Sequence, residues 1–128
     1  MAKTTKQTWA LDPRFPYRIF FTKEDYIAFC KRNDLGLSEY LTDTTASAMT
    51  IPYPGKNLSV VYFNQPVRKK IPQDHINTLV HEATHVVDNV FEWAGEKMPG
   101  KETRAYLMSQ VVDEFMLQYS AFYTVSKT

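Results

Sequence analysis

The chain has 128 residues, 44% of them apolar and 14% aromatic, with fifteen basic side chains against fourteen acidic ones. That length supports one hydrophobic core and not two, so a single domain over 1–128 is expected. A net charge of +1 offers no long-range attraction for nucleic acid or for an anionic membrane, and neither is expected as a partner.

Residues 1–16 read as an irregular arm, because Pro13 and Pro16 block regular pairing; Trp9 and Phe15 are its candidate anchors. The segment from Met1 to Leu11 carries lysines but no apolar h-region, and no stretch approaches the roughly 18 apolar residues of a membrane span. The single Cys30 fits a reducing compartment, so a cytoplasmic protein is expected. Residues 17–22 predict a first strand, rich in aromatic and β-branched side chains. Thr22 then caps a helix with Glu24 and Asp25 in its first turn, running to about Asn33 and stopping near Gly36. That helix turns Tyr26, Ile27, Phe29 and Cys30 inward, with Cys30 as small core filler.

Residues 37–45 are ambiguous, although Ser38-Glu39-Tyr40-Leu41 has the makings of a helical turn. Two further strands are predicted at 46–51 and 58–63, joined through Pro52-Tyr53-Pro54-Gly55-Lys56-Asn57 as a hairpin. Pro66 and Pro72 close the strand region, and the histidine helix follows, with Pro72 suited to its first turn, Asp74 at its positive end and its apolar face reaching Ala94; then comes a turn containing Gly95, Pro99 and Gly100. A last helix spans about 101–123, with Met108, Val111, Val112, Phe115, Tyr119 and Phe122 at three- and four-residue spacing. The fold class is therefore α+β: a small antiparallel or mixed sheet of about three strands against two long helices.

The chemistry concentrates in Leu79-Val80-His81-Glu82-Ala83-Thr84-His85-Val86-Val87. On a helix, side chains four apart share a face, so His81 and His85 can close on one ion at the zinc–nitrogen distance of about 2.0–2.1 Å. Glu82 lies about 100° round the helix, beside such an ion without binding it, where it can take a proton from activated water. This is the H-E-x-x-H pattern of zinc peptidases. Thr78, Asp88 and Glu92 join the histidines on a polar stripe facing a cleft. Ile76, Leu79, Val80, Ala83, Val87, Val90 and Ala94 form the opposite, core-facing side. Two of the chain's three histidines fall in this motif, and one cysteine is too few for a structural zinc site of the usual kind.

A catalytic zinc takes a third protein ligand and keeps one position open. His75 falls about 120° off the zinc stripe and reads as a helix-start or surface histidine. Asp88 faces correctly but lies about 10.5 Å of rise beyond His81, which suits it to bond an imidazole N–H rather than the ion. Glu92 is farther still. Glu102 opens the last helix after a turn that folds the chain back, and is the stronger candidate beside its ordinary reading as a first-turn carboxylate. Tyr106, one turn later, reads equally as a packing tyrosine or as a donor to an oxyanion.

His81-Glu82-x-x-His85 followed by Glu102-x-x-Ala105-Tyr106, after a strand hairpin, resembles a minimal gluzincin-type metallopeptidase. Over roughly 46–120 the chain is similar to small zincin-like proteins encoded by bacteriophages and prophages. The resemblance implies a zincin-like fold with one Zn2+ held by His81, His85 and Glu102, and Glu82 as general base. It also implies a sheet edge that pairs with an extended peptide. Hydrolysis of a peptide or protein substrate follows, in the host cytoplasm if the protein is phage-encoded. The alternative is a zincin scaffold that binds a host or partner protein without catalysis.

Overall fold

Alternating side chains on three short strands divide the interior into two apolar layers, one on each face of a sheet. A computed structural model describes residues 16–38, 46–95 and 100–126. In chain order these form β1 (Tyr17–Phe20), α1 (Lys23–Arg32), β2 (Ala48–Tyr53), β3 (Leu58–Phe63), α2 (Gln73–Trp93) and α3 (Lys101–Ser126). The sheet is mixed, in the order β1-β3-β2. Ile19 stands opposite Val61 in the parallel pair, and Thr50 opposite Val61 in the antiparallel one. The expected α+β class with a three-stranded sheet is what the chain adopts.

Every residue of the central strand β3 is buried. Its Val61 and Phe63 join Tyr17, Ile19 and Phe21 against Leu79, Ala83, Val86 and Val87 of α2 and Val111, Phe115 and Tyr119 of α3. The intervening residues, Phe20, Leu58, Val60 and Tyr62, face the other way onto Tyr26, Phe29 and Cys30 of α1. Cys30 is thus the core filler its setting suggested. A period of two in the strands decides which helix each residue meets. Each fully buried side chain of this size contributes about 1.5–3 kcal/mol.

The boundaries follow local chemistry. β1 stops at Phe20, short of the expected 22, because Thr22 is committed as N-cap; its hydroxyl accepts the Asp25 N–H at 3.1 Å. β2 runs over 48–53 rather than 46–51, taking in Pro52. Proline lacks the ladder donor and is tolerated there because β2 is an edge strand. The hairpin turn is left with one short 3-10 turn and Asn57 in the left-handed region, φ 49°. Asparagine enters that region more easily than most residues.

The long helix α3 ends at Ser126, three residues past the expected 123. No helix among the described residues is long and apolar enough to cross a membrane. The expected arm over 1–16 apart from Pro16, the helical turn at 38–41 apart from Ser38, and Pro99 lie outside the described residues.

Candidate metal centre

The site is built on α2, whose twenty-one residues contain neither glycine nor proline. Pro72 precedes its first turn with φ −70°, Asp74 sits at the positive end, and Gly95 closes it at φ +77°. Gly95 N–H donates to the Glu92 carbonyl at 3.1 Å, and the Ala94 N–H to that of Val90 at 3.1 Å. Glycine, having no Cβ, takes that dihedral without the crowding other residues meet there.

The buried side of α2 is made of His75, Leu79, Glu82, Ala83, Val86 and Val87. Of the expected apolar stripe, Leu79, Ala83 and Val87 are buried, Ile76 and Val90 half-buried, and Val80 and Ala94 exposed, while His75, Glu82 and Val86 are buried outside it. Val80 is 38% exposed, while Glu82 is only 5% exposed. The helix is rolled toward β2, so a carboxylate takes a place on the buried arc and a valine leaves it.

His81 and His85 lie on the exposed side. Their Nε2 atoms are 3.3 Å apart, with ring centroids at 4.9 Å and planes at 81°. Two nitrogens bound tetrahedrally at about 2.0–2.1 Å are separated by about 3.3–3.4 Å. The two rings are hydrogen-bonded to each other through these nitrogens, at a separation equal to the edge length of a tetrahedral site. Imidazole pairs of this kind suit zinc and other borderline divalent ions.

Glu82 points from α2 to the sheet edge. The Thr50 hydroxyl, on β2, donates to Glu82 Oε1 at 2.5 Å and lies 3.5 Å from the Glu82 backbone carbonyl. A hydrogen bond that short to a carboxylate is charge-assisted. Farther along, Asn89 donates to the Ser59 hydroxyl at 2.9 Å, so a polar seam runs between α2 and strands β2 and β3.

The C-terminal helix returns antiparallel. Tyr119 meets His75 and Arg104 meets Asp88, so the start of α3 lies beside the end of α2. Asp88 is thereby paired with the Arg104 guanidinium, not with an imidazole N–H. Glu102, two residues before Arg104, lies toward the C-terminal end of α2 and is exposed. Tyr106 is 74% exposed. Among the described residues no group of three His, Cys, Asp or Glu side chains converges to hold an ion. The structure brings His81 and His85 together on the exposed side of α2, while Glu82, the residue between them in the motif, turns to the buried side against β2.

The chain matches no protein-family model, no curated protein and no solved structure.

His75 lies in the first turn of α2, the helix-start setting expected of it, but it is not a surface histidine. It is 5% exposed, with Phe63 edge-on at 5.2 Å and Nδ1 2.8 Å from the Tyr119 hydroxyl. That hydroxyl accepts the Arg68 backbone N–H at 2.9 Å. Burial lowers the His75 pKa and raises that of Tyr119, so both are held neutral. Thr50 was not singled out by sequence reasoning either. The available signal was a lone hydroxyl between Met49 and Ile51, on the strand face that alternation turns toward α2.

Proposed function

We propose that the protein is a zinc-dependent metallopeptidase with a zincin-like arrangement. The observation carrying this reading is the 3.3 Å separation of the His81 and His85 Nε2 atoms, beside a buried glutamate held by an edge strand. The donor chemistry fits zinc: two imidazoles one helical turn apart, while the one cysteine, Cys30, is buried in the cluster with α1. When bound, zinc polarises the scissile carbonyl and makes water nucleophilic near neutral pH.

The chain's own groups supply the rest. Glu82 takes the proton released by the attacking water and delivers it to the departing amine, the general-base role that the H-E-x-x-H pattern gives it. The outer edge of β2 offers backbone groups to an extended peptide. Glu102 is the proposed third donor, on the pattern of the gluzincin-type resemblance. Tyr106 is a proposed donor to the tetrahedral intermediate. Arg104 is already engaged by Asp88.

The test is Glu82→Gln. Stoichiometric zinc is expected to remain, while cleavage of a proteome-derived peptide mixture falls by at least a hundredfold. Equal cleavage by the two proteins would defeat the assignment. The exposure of the histidine pair is the observation favouring the alternative, a scaffold that binds a partner protein. Under that reading Glu82→Gln retains the full biological effect.

A further inference from the structure

We infer that Thr50 is a positioning residue for Glu82: its hydroxyl occupies Oε1, fixes the carboxylate in one rotamer, and leaves Oε2 as the oxygen that handles the proton. This rests on the metallopeptidase reading and adds a residue from a different element to it. Glutamate has three side-chain torsions and, one residue from His81, no reason of its own to keep a single setting. The Thr50–Glu82 bond crosses from β2 to α2 over 32 residues of sequence, so tertiary structure alone makes it.

Thr50 has one hydroxyl proton to give. Glu82 Oε1 at 2.5 Å takes it in preference to the Glu82 carbonyl at 3.5 Å. No other hydrogen bond to the Glu82 carboxylate occurs among the described residues. Thr50 is itself held in register, opposite Val61 of the fully buried β3, and is half-buried. The donor therefore stands on a rigid element, the condition for holding a catalytic group to within a fraction of an ångström. A base mis-set by about 1 Å loses on the order of a hundredfold in rate.

Thr50→Val removes the donor at nearly constant shape, and Thr50→Ser restores it. The decisive measurement is a crystal structure of each variant. In Thr50→Val the Glu82 carboxylate is expected to leave its position or to spread over several rotamers; in Thr50→Ser it stays. Zinc affinity is expected to remain within threefold in both, because neither imidazole is touched. Peptide turnover is expected to fall at least tenfold in kcat at unchanged KM for Thr50→Val and to recover in Thr50→Ser. A Glu82 carboxylate unmoved in Thr50→Val, or full turnover by that variant, would overturn the assignment. If the wild-type protein takes up zinc but cleaves nothing, the peptidase reading falls, and with it the catalytic consequence; the carboxylate's position in Thr50→Val still decides whether Thr50 sets it.

Discussion

Zinc should raise the unfolding temperature by an amount that can be worked out beforehand. The two Nε2 atoms are already 3.3 Å apart, so little ordering is needed on binding. An ion that binds only the folded chain stabilises it by about 2.7 kcal/mol at one hundred times its dissociation constant. Unfolding entropy is about 2.1 cal/mol/K per residue, so a chain of 128 residues loses about 0.27 kcal/mol per degree near its midpoint. Dividing one by the other gives a rise of about 10 °C. The assay is differential scanning calorimetry on chelator-stripped protein, with zinc titrated to saturation. His85→Ala leaves one imidazole and should shift by less than about 2 °C under the same zinc. Glu82→Gln should shift as far as the wild type. A wild-type midpoint that ignores zinc, or a His85→Ala shift equal to that of the wild type, would refute the idea that these rings form a site.

Two further outcomes concern the scaffold that presents the site. Phe115 is fully buried with Tyr17 edge-on at 5.9 Å, so Phe115→Ala should cost about 3–5 kcal/mol in urea unfolding; a loss below about 1 kcal/mol would contradict that packing. Burial lowers the His75 pKa, whereas the unfolded chain titrates near pH 6.5. The unfolded state then binds a proton that the folded state refuses. His75's contribution is therefore present above about pH 6.5 and lost as the pH falls below it. His75→Gln should lose less stability than the wild type between pH 7.5 and pH 5 when urea midpoints are compared, and identical pH profiles would dismiss the buried histidine as a source.

Much of the molecule was legible in the chain because its signals are local. The four-residue spacing of His81 and His85 puts both rings on one helical face wherever that helix packs. The Thr22 cap, the turn-rich 52–57 segment and the β-branched and aromatic run 58–63 likewise act over a few residues, and each produced the expected element. The edges of those elements moved where a neighbour intervened, as when Pro52 joined β2 because an edge strand does not need its N–H.

What the chain could not announce is the rotation of α2 about its own axis and the sliding of α3 along it. Amphipathic periodicity locates an apolar arc only to within about one residue's turn, roughly 100°. That uncertainty is enough to exchange Val80 for Glu82 at the core boundary. The same packing buries His75 under Tyr119 and gives Asp88 to Arg104. It also decides that Glu82 meets Thr50. The sequence alone determined the elements and the paired imidazoles, since those depend on backbone geometry within one helix; tertiary packing decided the partners of each polar group, since those depend on which surfaces are buried together.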